Sequence, residues 1–438
     1  MRRYTDYQDS GSDWIGQVPK HWDIGRLKDF VLANPTFKVP HDMTADDLVE
    51  FVPMTNVDET LGVISRFDLT PLSEVASGYR RFCNGDVIFA KITPCMENGN
   101  CAIVSGLSRN IGFGSTEFLV YRPKRSLNAR YLHYFLHNDL FRKNAVPFMK
   151  GSAGQKRLPN DYVETHVFPL PPLPEQQAIA DYLDAKTAQI DRKIDLLTQK
   201  AAKYRQLKRA IINAAVTRGL DNSAPMKDSG VEWIGEVPAH WTLQRLKDIG
   251  KSVIGLTYAP EDVVEDESQG TLVLRSSNIQ NGRLSLDDNV YVRKDISSQR
   301  TLRRDDILIC SRNGSRALIG KNITIDAQTE GCTFGAFMTV YRSKYSRFIS
   351  HYFNSMLFES QSGSFGSSTI NQLTITTLNS MLVALPPRGE QHAIADYLDT
   401  KTVRIDRIIE IIDAQITKLQ DLRKSLINAV VTGKLRVT

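Results

Sequence analysis

Asp9-Ser10-Gly11-Ser12-Asp13-Trp14-Ile15-Gly16-Gln17-Val18-Pro19-Lys20-His21-Trp22 returns 219 residues later as Asp228-Ser229-Gly230-Val231-Glu232-Trp233-Ile234-Gly235-Glu236-Val237-Pro238-Ala239-His240-Trp241. Arg26-Leu27-Lys28-Asp29 recurs in the same register as Arg245-Leu246-Lys247-Asp248. A second block repeats with a shift of 215: Leu170-Pro171-Pro172-Leu173-Pro174-Glu175-Gln176-Gln177-Ala178-Ile179-Ala180-Asp181-Tyr182-Leu183-Asp184 against Leu385-Pro386-Pro387-Arg388-Gly389-Glu390-Gln391-His392-Ala393-Ile394-Ala395-Asp396-Tyr397-Leu398-Asp399. A repeat this long is a duplicated domain, not a solenoid unit.

Between the blocks only sparse echoes survive. Gly85-Asp86-Val87-Ile88 answers Asp305-Asp306-Ile307-Leu308, and Val120-Tyr121-Arg122 answers Val340-Tyr341-Arg342. His133-Tyr134-Phe135 answers His351-Tyr352-Phe353, and Gly151-Ser152 answers Gly366-Ser367. Each half therefore has a repeated frame around a divergent middle. Short apolar, β-prone runs at 87–90, 118–121, 272–274, 307–310 and 337–341 predict strands. Periodicity predicts amphipathic helices over 128–144 and 346–361.

After each middle the Pro-rich approach leads into a long helix, with Pro174 or Glu175 suited to the first turn. Ile190, Ile194, Leu197, Ala201 and Tyr204 are spaced 4, 3, 4, 3, a heptad seam. The second copy offers Leu398, Ile405, Ile409, Ile412, Ile416, Leu419 and Leu426. A helix from Glu175 to Thr217 is roughly 65 Å long at 1.5 Å per residue. It cannot bury its stripe alone; the natural partner is its own repeat copy, with pairing between chains as the alternative. Gly219 to Pro225 carries stop and linker chemistry.

The expected architecture is α+β: two pseudo-twofold-related mixed α/β domains separated by two long antiparallel coiled-coil helices. The boundaries read as a first domain at 1–169, a first helix at 170–219, a linker at 220–227, a second domain at 228–384 and a second helix at 385–438.

With 438 residues, the chain is long enough for two or more cores. Hydrophobic content of 41% and charged content of 24% are ordinary for a globular protein. No apolar run approaches the length of a membrane span. The first residues lack the apolar core of a signal peptide, and the five cysteines are odd in number and scattered. Both features point to the cytoplasm. A net charge of +6 permits nucleic-acid binding without demanding it.

No complete catalytic motif stands in the sequence. Asn34-Pro35-Thr36-Phe37 lacks the second proline of an amino-methyltransferase signature and reads as a turn. Gly314 to Asn322 has one residue too many for a phosphate loop, and Asn322 stands where Ser or Thr is needed. His133 and His137 have the i, i+4 spacing of a zinc pair but no accompanying glutamate, so they read as packed histidines. Cys95 and Cys101 read as buried thiols. Trp14, Trp22, Trp233 and Trp241 repeat within the frame and read as core.

The double occurrence of Trp-Ile-Gly-x-Val-Pro-x-His-Trp (14–22, 233–241) and Leu-Pro-Pro-x-x-Glu-Gln-x-Ala-Ile-Ala-Asp-Tyr-Leu-Asp (170–184, 385–399) resembles the specificity subunit of type I restriction-modification systems. The resemblance spans essentially the whole chain. It implies a non-catalytic subunit whose two middles are target recognition domains, each binding one half of a bipartite, asymmetric double-stranded DNA site. It implies two modification (methyltransferase) subunits around the helices, bringing S-adenosylmethionine, and restriction subunits bringing ATP-driven translocation and nuclease activity. This chain itself is expected to need no cofactor or metal. Alternatives are the same architecture in a methylation-only complex, or a coiled-coil scaffold whose heads bind protein or sugar.

Polar and basic loop residues are the candidate DNA readers. In the first half these are Lys91, Asn98, Lys150, Ser152, Gln155, Lys156 and Arg157. The second half offers Arg275, Asn278, Arg312, Asn313, Arg316, Lys321, Ser367 and Asn371. Arg addresses guanine, Asn or Gln adenine, and Lys mainly phosphate. The basic run Lys200, Lys203, Arg205, Lys208 and Arg209 reads as a solvated or subunit-docking face.

Overall fold

The computed structural model describes residues 3–152, 154–280, 282–364 and 371–437. The chain divides into two compact units, and the cuts fall inside the two long helices. One unit comprises Met1–Leu197 with Ala414–Thr438, the other Thr198–Asp413.

In the first unit an antiparallel four-stranded sheet has the order Cys101–Ile103, Val87–Ala90, Phe118–Pro123, Val31–Ala33. A second sheet has the order Asp68–Pro71, Leu48–Val52, Gly112–Gly114, Arg80–Phe82, with its two central strands parallel. The second unit repeats the plan. Its first sheet runs Lys251–Ile254, Met338–Arg342, Ile307–Cys310, Asn322–Thr324. Its second sheet has the order Val263–Val264, Tyr291–Val292, Thr271–Leu274, Thr333–Phe334, and keeps a parallel pair, Thr271–Leu274 beside Thr333–Phe334, at its edge. The outer strands differ: Arg80–Phe82 flanks Gly112–Gly114 in one unit, whereas Val263–Val264 flanks Tyr291–Val292 in the other.

The β-prone runs form strands because their side chains are buried on both faces; Val87 to Ala90 and Ile307 to Cys310 are all fully buried. The sparse echoes have a physical reason. Arg122 donates from Nε and Nη2 to Asp86 at 2.7 Å, and Asp86 is 1% exposed. Arg342 makes the same pair with Asp306, and each aspartate also accepts a backbone N–H three residues upstream, from Cys83 or Arg303. A buried carboxylate without its guanidinium is strongly destabilising. The pair survives in both copies where surface residues do not.

The repeated frame blocks meet each other. In the opening stretch, Tyr7–Asp9 pairs with Gln17–Pro19 around a loop whose Gly11 and Gly16 have φ of +73° and +67°. Gly230 and Gly235 hold φ of +73° and +68° in the copy, where Met226–Asp228 pairs with Glu236–Pro238. Left-handed backbone at both turns accounts for the repeated glycines. The next strand pairs with the one just before the long helix: Asp23–Arg26 with Val167–Leu170, and Thr242–Arg245 with Leu382–Leu385.

Glu175, in the first turn of the first long helix, then clasps the opening stretch. Its Oε1 accepts Trp22 Nε1–H at 3.2 Å and Tyr4 O–H at 2.6 Å, and its Oε2 lies 2.8 Å from His21 Nε2. Glu390 holds His240 and Trp241 in the same manner, at 2.8 and 3.1 Å. The neighbouring Gln176, wholly buried, donates to the carbonyls of Pro171 and Ser126 and accepts from Asn128 N–H. One turn on, Asp181 and Asp184 grip Arg130, as Asp396 and Asp399 grip Arg347.

The long helices run Leu173–Arg218 and Arg388–Val431. Every residue of the two seams is buried or half-buried. In the second unit Arg205 pairs with Asp413 and Lys208 with Asp406, so the helix segments there are antiparallel. Part of the basic run is thus engaged across the seam; Arg209 likewise pairs with Glu359. In the first unit Arg423 pairs with Asp191. Each head rests on both helices. Trp22 shares a core with Ile427, Val430 and Val431 from the end of the second helix. Trp241 shares one with Ile212, Ala215 and Val216 from the end of the first. Each such buried valine or isoleucine contributes about 1.5–3 kcal/mol.

Several expectations need correction. The helix predicted over 128–144 is two helices, Ala129–Leu136 and Asp139–Ala145, because Asn138 caps the second by accepting Leu140 N–H. The helix predicted over 346–361 breaks likewise, into Ser346–Phe353 and Met356–Ser364. His351 does not answer His133: it bonds Asp399 as Tyr134 bonds Asp184, so Tyr134 is its counterpart. Trp22 and Trp241 are core and Trp14 is partly buried, but Trp233 is 39% exposed. Cys101 is buried, and Cys95 is only half-buried. No helix among the described residues is long and apolar enough to cross a membrane.

Candidate nucleic-acid interface

A cleft with a volume of about 800 Å³ lies in the second unit. It opens where the strand Ile307–Cys310 ends and the chain turns. Arg312, Asn313 and Asn371, all singled out from sequence, line it together with Arg275. Backbone pairing builds this place. Leu373 N donates to Ser311 O, an isolated bridge joins Arg312 to Gln372, and Arg312 N donates to Phe337 O at 3.0 Å.

Side chains at the cleft fall into two groups. Asn313 accepts Ser315 N–H and donates to Ser276 Oγ, while Asn371 donates to Gly314 O. These amides shape the loop. Arg275 is bound to Asp288, and Lys321 donates to Ser276 O. Arg312 differs: its guanidinium lies 5.0 Å over the ring of Phe337 and, among the described residues, makes no hydrogen bond or ion pair. Phe337, which sequence reasoning missed as a functional residue, is 57% exposed.

The equivalent place in the first unit has the same backbone. Leu158 N donates to Lys91 O, Ile92 bridges Arg157, and Lys91 N donates to Glu117 O. Glu117 therefore occupies the position of Phe337. The missing signal was available by counting back three residues from the echo at Val120 and Val340. The chemistry is different here. Arg157 donates to both Glu117 oxygens at 2.8–3.1 Å, which holds the Glu117 carboxyl below its ordinary range and raises the guanidinium. Lys91 is pushed down by burial and by the charge of Arg80. Lys150 and Arg157 exchange backbone hydrogen bonds and close an exposed hairpin carrying Ser152, Gln155 and Lys156. Gly151, next to the closing pair, has φ of +134°, and a Cβ there would meet Gln155 O at 2.7 Å.

Other candidates lie elsewhere. Asn278 is wholly buried: it accepts Arg275 N–H and donates to the carbonyls of Ser285 and Asp288, so it is structural and cannot touch a base. Asn98 donates to Glu59 and lines a different cavity, of about 510 Å³, with His137, Arg142, Asp191 and Arg423. Arg316 is exposed on the short 3-10 turn Arg316–Leu318. Ser367 lies outside the described residues.

The histidine pair is packed. His133 and His137 stack at 5.4 Å, and their Nε2 atoms face the carbonyls of Cys101 and Glu59 at 3.2 and 3.0 Å. Burial pushes His133 down to about 4 and His137 to about 3. Among the described residues no group of three or more His, Cys, Asp or Glu could hold a metal ion.

The model of the type I restriction modification DNA specificity domain matches residues 19–203 and again 238–420, most of both halves. The chain belongs to this family. Within it, the specificity subunit of type I restriction enzyme EcoAI from Escherichia coli is 37% identical over 164 residues, covering 37% of this chain and 27% of that protein. The chain thus spans about a quarter of that relative's length. The putative type I restriction enzyme MjaX specificity subunit of Methanocaldococcus jannaschii is 25% identical over 436 residues, covering 97% of this chain and 96% of the relative. Among solved structures, a chain from work on complex assembly and conformational transition of the type I R-M system superposes with a TM-score of 0.75 at 20% identity, covering 95% of this chain and 99% of the other. That likeness speaks to the fold. The two matches of the specificity domain coincide with the two repeats read from sequence.

Proposed function

We propose that the chain is the DNA-recognition subunit of a type I restriction-modification complex, in which each head reads one half of a bipartite, asymmetric duplex site. The observation that carries this reading is one fold position with two chemistries: Arg312 over Phe337 in the second unit, Arg157 locked to Glu117 in the first. Identical heads would read identical half-sites, and these are not identical. Arg312, Arg316 and the loop held by Asn313 and Asn371 face the duplex in the second head, with Arg275, Lys321 and Ser367 as further candidates. Lys91, Lys150, Ser152, Gln155, Lys156 and Arg157 do so in the first. The domain boundaries are those at 169, 219, 227 and 384. Two modification subunits, supplying S-adenosylmethionine chemistry, dock against the helices, and restriction subunits join them in the cytoplasm. The chain itself contributes recognition and no catalytic group.

The test is a gel shift of the full chain with its modification partner on random duplexes, followed by sequencing of bound DNA. Binding that weakens steeply with salt and selects two unlike half-sites at fixed separation is expected. A palindromic selected site, or no binding to any duplex at low salt, would overturn the reading.

A further inference from the structure

Two arginines line the cleft of the second head, and one is already engaged: Arg275 faces Asp288 at 2.8 Å. The Arg312 guanidinium makes no hydrogen bond or ion pair among the described residues. Its Cζ lies 5.0 Å over the Phe337 ring, and Arg312 is exposed. Phe337 itself is held firmly. Its carbonyl accepts Ser311 N–H, Ser311 O–H and Arg312 N–H, each at 3.0 Å, yet its ring is 57% exposed. A solvent-facing aromatic beside an unpaired guanidinium leaves apolar surface exposed, offset within the fold only by their weak, exposed cation–π contact.

Duplex DNA offers partners for both groups on one groove wall. A guanidinium pairs bidentately with guanine O6 and N7 in the major groove. The apolar feature of that groove is the 5-methyl of thymine, which an aromatic or aliphatic side chain contacts. Successive bases on one strand are about 3.4 Å apart, so groups 5.0 Å apart address neighbouring pairs more readily than pairs about 7 Å apart. We infer that the second head reads a guanine with Arg312 and the methyl of an adjacent thymine with Phe337. The first head lacks this module, because Glu117 replaces the phenylalanine and neutralises Arg157. The inference rests on the DNA-reading function proposed above and names the base step that one head selects.

Chemical substitution of the DNA tests it without perturbing base pairing. Once the half-site of the second head is known from selection with the full chain, its guanine is replaced by 7-deazaguanine, which lacks N7. Its neighbouring thymine is separately replaced by deoxyuridine, which lacks the methyl. The 7-deazaguanine duplex should bind wild-type chain about tenfold more weakly and be indistinguishable from the natural duplex for Arg312→Ala. Deoxyuridine should weaken the wild type about fourfold, as expected for one buried methyl, and leave Phe337→Ala unaffected. Both side chains are exposed, so neither variant should lose its fold, which thermal denaturation would check.

A selected half-site without a guanine beside a thymine would overturn the inference while leaving the DNA-reading function intact. So would additive losses from the protein and DNA changes. An Arg312→Ala variant weakened equally on all sequences, with a salt slope lower by about one, would make Arg312 a phosphate contact and also overturn it. Failure of the wild type to bind any duplex would instead overturn the function beneath it.

Discussion

Replacing Glu175 by alanine should loosen the first head from its helix by about 2–6 kcal/mol. Three partners lose their acceptor, and they lose unequally. Trp22 is 2% exposed, so no water can reach Nε1–H, and a buried donor left unmade costs about 1–3 kcal/mol. Tyr4 is half-buried and loses a charge-assisted bond of 2.6 Å, of which solvent restores part, leaving about 1 kcal/mol. His21 is half-exposed and rehydrates, so its pairing contributes about 0–1 kcal/mol. Removing an anion from the first turn of a long helix costs a further 0.3–1 kcal/mol or so.

Glu175→Gln keeps one oxygen for Trp22 and should cost about 1–2 kcal/mol. Glu390→Ala, whose partners are only His240 and Trp241, should cost about 2–3 kcal/mol in the second unit. Because two units need not unfold together, amide exchange resolved by peptide is the right assay. Protection of 23–26 and 167–170 should fall in Glu175→Ala, while 242–245 and 382–385 keep theirs. A cost below about 0.5 kcal/mol, or glutamine behaving like alanine, would refute the clasp as the cause of the paired motifs.

The buried ion pair should respond asymmetrically. Arg122→Ala leaves a carboxylate 1% exposed and should cost about 3–5 kcal/mol, whereas Asp86→Ala leaves a guanidinium that is a third exposed and should cost less in urea titration. Asn278→Ala should destabilise the second unit by about 2–4 kcal/mol, since it strands two carbonyls and one N–H, yet leave base preference unchanged in a selection experiment. Acid should weaken the first unit selectively. His133 and His137 stay neutral in the fold down to about 4 and 3, while the unfolded chain protonates them below about 6.5. Stability is therefore full above pH 6.5 and falls as pH drops toward 4, by up to ~1.4 kcal/mol per pH unit for each histidine. Ser350 and Asn354 stand at these places in the second unit, which should lack that loss when exchange is compared at pH 7 and pH 5.

Much of the fold was legible because the repeat marks residues whose partners lie within the same half. Glu175 and Trp22 recur as Glu390 and Trp241 since each pair is a contact. Asp86 and Arg122 recur for the same reason, 36 residues apart. Other features could not be read from spacing. The break at Asn138 is a capping decision made by one side chain, and periodicity averages over it. Asn278 looked like an exposed polar loop residue, and only its three hydrogen bonds with backbone groups reveal it as buried. His133 and His351 resemble each other along the chain by a one-residue slip, which bonding to Asp184 and Asp399 resolves in favour of Tyr134. The site was half-legible: Arg312, Asn313 and Asn371 were found as loop residues, but their meeting with Phe337 depends on strand pairing.

The same energetics explains why the frame and the site have diverged to such different degrees within one chain. A change at Trp22, Glu175, Asp86 or Arg130 leaves a buried or multiply bonded partner behind, at a cost of kilocalories. A substitution at the exposed Phe337, or at Arg312, disturbs no packed neighbour and costs within about 0.5 kcal/mol. The backbone hydrogen bonds that build the cleft run from Ser311 to Leu373 and from Lys91 to Leu158, and they do not depend on which side chains project from it. Glutamate and phenylalanine can therefore occupy one position in the two halves with the fold unchanged. Under the proposed function, a few exposed residues would suffice to alter one half-site, while the contacts that join each head to its helices stay fixed.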